Sequence, residues 1–330
     1  MRRLLVTGGA GFIGSMLVRV LMERGDEVRV IDDLSSGRAE NLEGVDGVEL
    51  LVGSILDEAL IARAMRDVDW VFHLACRGVR HSIHAPVENH EVNATGTLRL
   101  LEAARSAEAA RFVYTSTSEV YGTAVRVPMD EDHPTWPHTV YGGSKLAGEA
   151  YVRAYHRIYG MPTVVIRPFN TYGPRSHHEG DSGEVIPKFI VRAMNGKPPV
   201  IFGDGTQTRD FTYVEDTARG IVELGDADGA IGATVNLGSG AEISVKDLAA
   251  LILRVTDRQD LGTAPAPARP GDVLRLIADS RKATRLIGWA PAVGLEEGIG
   301  RLLAWHREQG TDWERALEDD VERNWEVSTP

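Results

Sequence analysis

Hydrophobic positions in the first half of the chain fall into short β-branched runs that alternate with longer stretches of helical period. "RRLLVTG" reads as a strand, "FIGSMLVRVLMERG" as an amphipathic helix stopped by Gly25, and "EVRVID" as a second strand. The rhythm repeats: "GVELLVG" precedes the helical "DEALIARAMRD", and "VDWVFHLA" precedes a long helix beginning after Pro86. "ARFVYTST" then precedes a helical segment around Tyr141, and "PTVVIRPF" supplies a further apolar run. Strand, helix and strand in this succession predict right-handed crossovers and a parallel sheet covered on both faces, an α/β fold of Rossmann type.

After about residue 170 the rhythm breaks and glycine and proline rise, as in "YGPRSHHEGDSGEVIP", "NGKPPVIFGDGTQTRDF" and "APAPARPGD". Helical patterns persist in "VEDTARGIVELG", "VKDLAALILRVT" and "LEEGIGRLLAWHRE", with short strands between them. The expected organisation is a dinucleotide-binding domain over 1–169, with interleaved later segments at roughly 205–240. A smaller α/β lobe for the substrate then fills most of 170–330, its loops facing the carboxyl edge of the first sheet. "TAPAPARPG" is expected to be a loop within that lobe rather than a linker. The C-terminal "TDWERALEDDVERNWEVSTP" is acidic and helical in pattern.

Composition narrows the function classes. A chain of 330 residues exceeds the usual single-domain length and can bury a sizeable core. Its net charge of −12, with no stripe of Lys and Arg, argues against nucleic acid as the main partner. No apolar run approaches the roughly 20 residues of a membrane span, and "MRRLLVTGG" reads as a first strand rather than a signal peptide. The single cysteine, Cys76, leaves no intrachain disulfide and fits a reducing cytoplasm. "HSIHAP" and "RSHHEGD" lack metal-ligand spacing and are expected to be solvated loop histidines, so no metal site is predicted.

Candidate chemistry begins at "VTGGAGFIGS", where Gly8, Gly11 and Gly14 follow a strand and open a helix. Glycines so placed allow a tight turn and close approach of backbone to a pyrophosphate at the helix N-terminus. Asp32, at the end of the next strand, would accept hydrogen bonds from the adenosine ribose hydroxyls and repel a 2′-phosphate, which favours NAD over NADP. Arg38, in "LSSGRAEN", is either a solvated loop charge or a cover for a 2′-phosphate.

"VYGGSKLAGE" puts Tyr141 and Lys145 one helical turn apart on a shared face. With "TGGAGFIGS", "HLAC", "VNATGTL", "TSTSEVYG", "YGGSK" and "RPFNTYGPR" in one order, the chain resembles the extended short-chain dehydrogenase/reductases that modify nucleotide sugars, from about residue 3 to residue 305. That resemblance implies NAD as cofactor, Tyr141 and Lys145 beside the nicotinamide ring, and Thr117 orienting the sugar hydroxyl. A free tyrosine with a pKa near ~10 is a poor base at neutral pH; the Lys145 ammonium and the nicotinamide charge are expected to bring Tyr141 toward the working range. Along the dinucleotide the resemblance places Phe12, Ile13, Asp33, Ser36, Gly37, Ile55, Leu74, Ala75 and Pro168, with Asn93 bracing the site. Ser54 stands where the family often has an acidic residue for the adenine amino group. For the substrate it implies Arg80, Val185, Asn170 and Arg209, with Arg269 and Asp272 in "ARPGD" for the second diphosphate contact and the ribose. Val200 and Phe202 would pack on the nucleobase, which suggests a uridine or thymidine sugar.

The reaction is expected to begin with oxidation of the sugar C4 hydroxyl. An epimerase returns hydride to the other face and needs little beyond Thr117 and Tyr141, whereas a 4,6-dehydratase needs a further acid and base. Here Thr117-Ser118-Glu119 lacks the Asp-Glu pair usual after the threonine in thymidine-sugar dehydratases. Glu119 is either catalytic or a structural residue at the strand end, and "FNTYGPRSH" leans toward UDP-glucuronate decarboxylases. A nucleotide-sugar 4-epimerase is therefore expected first, a lyase second, and a catalytically silent dinucleotide-binding sensor last. The resemblance also implies a homodimer through a four-helix bundle of the helices around Glu91–Ser106 and Tyr141–Tyr159.

Overall fold

The computed structural model describes residues 1–268 and 273–321. Seven parallel strands form the central sheet: β1 (Arg3–Thr7), β2 (Glu27–Asp32), β3 (Glu49–Val52), β4 (Trp70–His73), β5 (Arg111–Thr115), β6 (Thr163–Pro168) and β7 (Thr234–Leu237). Their spatial order is β7-β6-β5-β4-β1-β2-β3, every neighbouring pair parallel. The strands alternate their side chains between two apolar cores, as a sheet buried on both faces requires. Leu4, Val6 and Val30 enter one core with α1 (Phe12–Glu23) and the helix Val214–Asp226. Leu5, Ile31 and Val71 enter the other, with Ile61, Leu100 and Val152 from the opposite helices.

The helix carrying Tyr141 runs Val140–Tyr159, because Thr139 caps its start by accepting from the Gly142 N–H at 3.0 Å and Gly160 ends it with φ of +66°. One sequence expectation is refined and one corrected. The long helix after Pro86 forms without a gap, but it widens in the middle: Pro86–His90 continues through five residues of π-helical turn, Glu91–Thr95, into Gly96–Ser106. Such an insertion cannot be read from apolar periodicity. "TAPAPARPG" contains a strand, Ala264–Ala266, paired in parallel with Val200–Phe202.

A third core builds the smaller lobe from Val185–Met194, Val245–Val255 and Leu295–Glu308 around Tyr172, Ile201 and Phe211. The acidic C-terminal pattern forms the short helix Trp313–Glu318. Among the described residues no helix is long and apolar enough to cross a membrane.

Candidate functional site

β1 and β4 lie side by side while the chain runs outward from them in opposite directions, so a crevice opens beyond their carboxyl ends. His73 sits in its floor, fully buried, between Thr7 Oγ1 at 2.7 Å and Thr97 Oγ1 at 2.9 Å, and burial keeps it neutral. The crevice deepens into a cavity of about 1170 Å³ between sheet and lobe.

One end of the cavity is the glycine loop. Gly8 has φ of +73°, and a Cβ there would stand 2.7 Å from the Ala75 backbone nitrogen, so only glycine lets this turn lie against the β4 loop. A Cβ on Gly14 would collide with the Gly8 carbonyl. No side chain caps the start of α1 and no acidic residue occupies its first turn, which leaves a positive helix end facing the cavity. Asp32 accepts hydrogen bonds from the Ala10 and Leu34 N–H groups, each at 2.9 Å, and burial still raises its pKa against both. Its Oδ1 would be 2.7 Å from a Cβ on Gly37, so that glycine admits the carboxylate. Asp33 pairs with Arg77 at 3.0 Å. Arg38 is tied to Glu179 at 2.8 Å.

The reacting end is built from the Val140–Tyr159 helix and the end of β5. Tyr141, Lys145 and Glu149 recur every fourth residue and share the face toward the sheet. Lys145 is 1% exposed, donates from Nζ to the Thr115 carbonyl at 2.7 Å, and lies over the Tyr114 ring at 4.4 Å. Thr117 and Cys76 stand near enough to the Tyr141 hydroxyl to act on its pKa, while Thr117 Oγ1 accepts from the Glu119 N–H at 3.2 Å. Burial pushes Tyr141 well above its ordinary pKa, and the hydrogen bond from Thr117 only partly opposes this. The expected lowering by Lys145 is therefore absent from the protein alone; burial also depresses the lysine's own pKa.

The cavity wall contains Gly8, Gly11, Phe12, Ile13, Gly14, Asp32, Asp33, Ser36, Gly37, Ile55, Leu74, Ala75 and Pro168 along the expected cofactor track. Thr117, Glu119, Tyr141 and Lys145 line its centre, and Arg80, Asn170, Val185, Val200, Phe202 and Arg209 its far end. Two residues expected at the cofactor stand behind the wall. Ser54 turns its hydroxyl to the Leu56 N–H at 3.1 Å. Asn93, 1% exposed in the wide turn, joins Arg77, Asn89 and Ser144, bonding the β4 loop to the tyrosine helix. Arg269 and Asp272 lie outside the described residues.

The histidines of "RSHHEGD" are not solvated. His177 and His178 are mostly buried and contact Glu179 at 3.0 and 3.4 Å. Burial acts to lower His177, but the hydrogen bond and charge of Glu179 raise it overall. Glu184, also on the cavity wall, is pushed by burial up to about 7, against the nearby charges of His177 and Arg80. Sequence reasoning missed Arg77, whose position directly after "HLAC" was a usable signal, and Glu184, whose loop had none. Among the described residues no group of three or more His, Cys, Asp or Glu could hold a metal.

The GDP-mannose 4,6-dehydratase family matches residues 5–302. The UDP-glucose 4-epimerase of Mycolicibacterium smegmatis is 39% identical over 313 residues, covering 92% of this chain and 98% of that one. The structure of UDP-glucose 4-epimerase from Thermotoga maritima with UDP-glucose is 35% identical and superposes with a TM-score of 0.89 over 94% of this chain and 100% of that one. The dTDP-glucose 4,6-dehydratase from Streptomyces venezuelae with NAD bound is also 35% identical, with a TM-score of 0.88 over 95% of this chain and 99% of that one. A match running from β1 through Leu302, on a sheet whose switch point holds a glycine loop and a Tyr141-Lys145 pair, makes this chain a member of the GDP-mannose 4,6-dehydratase family of extended short-chain dehydrogenase/reductases.

Proposed function

We propose that the protein is an NAD-dependent nucleotide-sugar 4-epimerase acting on a UDP-sugar. The observation that carries this reading is the pairing of Tyr141 with Thr117, beside a buried Lys145, with Ser118 rather than a carboxylate following the threonine. That arrangement is sufficient for reversible oxidation at one carbinol centre and lacks the adjacent acid that elimination of water calls for.

The residues suit NAD. The glycine loop and uncapped helix end complement a diphosphate, and the Asp32 carboxylate complements ribose hydroxyls while opposing a 2′-phosphate. Arg38 is occupied by Glu179 rather than held for a phosphate. When bound, NAD supplies the acceptor and donor of hydride. Tyr141 then takes the C4 hydroxyl proton and returns it, Thr117 fixes that hydroxyl, and Lys145 adds positive charge nearby. Arg209 and Asn170 hold the diphosphate, and Val200 and Phe202 flank the base. A second copy of the chain would dock on the exposed apolar side chains Leu98, Ile158 and Tyr159 of the two bundle helices.

A lyase is the second reading, favoured by one observation: Glu119 lines the cavity close enough for its charge to act on Tyr141. The deciding experiment incubates the protein with UDP-, dTDP- and GDP-sugars, with and without added NAD, and identifies products by mass and proton NMR. Unchanged mass with inverted C4 is the expected result. Loss of water or carbon dioxide would replace the epimerase with the lyase, and no turnover with any sugar would revive a dinucleotide-binding sensor.

A further inference from the structure

A second cavity, of about 450 Å³, opens behind the loop that follows the Asn170–Tyr172 strand. It is bounded by that loop, by Arg38 and Asn41, and by the C-terminal helices through Trp305, His306 and Arg315. His177 lines both this space and the large cavity. Nothing in the proposed reaction uses it.

Its polar lining is incompletely satisfied. Ser176 is 5% exposed and its Oγ has no hydrogen-bond partner; His306 is 3% exposed and its Nε2 has none, while its Nδ1 meets Thr311 Oγ1 at 3.0 Å. Two orphaned polar atoms in one pocket are costly unless a ligand or water completes them. Between these residues lies Arg175, held at φ of +70° with its guanidinium 5.9 Å from the Trp305 ring. Among the described residues no carboxylate pairs with it. Burial, helped by the nearby charge of Arg19, lowers its pKa to about 10. Arg19 is itself depressed by burial and has an unpartnered Nε.

Three carboxylates also line the pocket, and two of them, Glu179 and Asp312, are engaged by other groups. Glu179 is shared by His177, His178 and Arg38. Asp312 caps the Trp313–Glu318 helix by accepting from the Arg315 N–H, and Asp319 acts electrostatically on His178 rather than on Arg175. A guanidinium with no carboxylate partner among the described residues, beside a buried hydroxyl and a buried imidazole nitrogen that are both unpartnered, forms a recess for negative charge, while Arg19, outside the lining, is turned to the Asn41 and Glu43 carbonyls.

We propose that this pocket is a binding site for a small phosphate-class oxyanion, held by Arg175 with Ser176 and His306. The site stands apart from the catalytic reading and does not depend on it. The ligand is a free phosphate or the phosphoryl group of a small metabolite.

The test is calorimetric titration of the full-length protein with inorganic phosphate and, separately, with a hexose 1-phosphate, each with and without saturating UDP to fill the large cavity. Phosphate binding that persists under UDP is expected, weakened at least about tenfold by Arg175→Gln and largely kept by Arg175→Lys. Ser176→Ala, which removes only an unpartnered hydroxyl, should also weaken it and guards against an Arg175 variant that fails to fold. Tighter binding of the hexose phosphate would identify a metabolite as the source, and equal binding the free ion. No heat up to ~20 mM of either probe, or binding that UDP abolishes and Arg175→Gln leaves unchanged, would overturn the proposal.

Discussion

Replacing Glu149 by Gln tests how the catalytic helix is held in register. Glu149 is fully buried, one turn beyond Lys145, and its carboxylate accepts from Arg167 Nε at 2.8 Å and Arg167 NH2 at 2.6 Å. It also accepts from the Ser116 hydroxyl at 2.6 Å and from Arg153 at 2.8 Å. Burial alone would raise its pKa, but the hydrogen bonds and charge of Arg167 hold it below the usual carboxylate value. Arg167 is 3% exposed, so an uncharged partner leaves a buried guanidinium uncompensated, which costs about 3–5 kcal/mol. An unfolding entropy of roughly 2.1 cal/mol/K per residue over 330 residues gives ~0.7 kcal/mol/K, so the melting temperature should fall by ~4–7 °C. Scanning calorimetry reads the shift directly. Because the folded pKa is depressed, this stabilisation is present above the unfolded carboxylate pKa of about 4.3 and disappears as pH falls through the lower folded value. The difference between the two proteins should therefore shrink in acid. Removing both charges, in Glu149→Leu with Arg167→Met, should recover more than half of the loss. A Glu149→Gln protein melting within ~1 °C of the parent near neutral pH would refute the reasoning.

Two further outcomes are expected. Tyr141→Phe removes only the hydroxyl that meets Thr117 and should lower turnover by ~10²–10⁴-fold while UDP affinity, measured by calorimetry, is retained; turnover above a tenth of the parent would exclude Tyr141 as the proton acceptor. Glu184, pushed by burial up to about 7, binds a proton in the folded chain over a range where the unfolded chain has lost it, so its burial costs stability as pH rises. Glu184→Gln should thus melt higher than the parent at about pH 8 and lose that advantage by about pH 5, and an equal difference at both would sink the assignment.

Much of the sheet was legible because its strands are short apolar runs bounded by turn residues, as "EVRVID" became Glu27–Asp32 and "PTVVIRPF" became Thr163–Pro168. The glycine loop was equally legible, since its function depends on backbone shape that only particular residues permit. What escaped were properties made by distant contacts. The wide turn at Glu91–Thr95 leaves no periodic trace, yet it carries Asn93 to Arg77 and Ser144. The lowered pKa expected for Tyr141 rests on the Lys145 ammonium and the nicotinamide charge together, whereas the protein alone supplies an opposite effect through desolvation. His177 lies in a loop as expected, but nothing in "RSHHEGD" records that the fold buries it against Glu179 between two cavities. The second cavity was invisible for the same reason, its walls coming from residues near 40, 175 and 310.

β7 lies at residues 234–237, beside β6, although the chain between them has already built much of the smaller lobe. The two lobes are thus sewn together rather than strung in series. Cutting the gene after residue 169 would not release a free nucleotide-binding unit: β6 would become a bare edge inviting intermolecular strand pairing, and the face under Val214–Asp226 would lose its cover. Repeated passage between the lobes also restrains them from swinging apart on a single pivot. Substrate entry would then depend on side chains and loops at the cavity mouth, and evolution could retune sugar choice there while the sheet and its catalytic helix stay as they are.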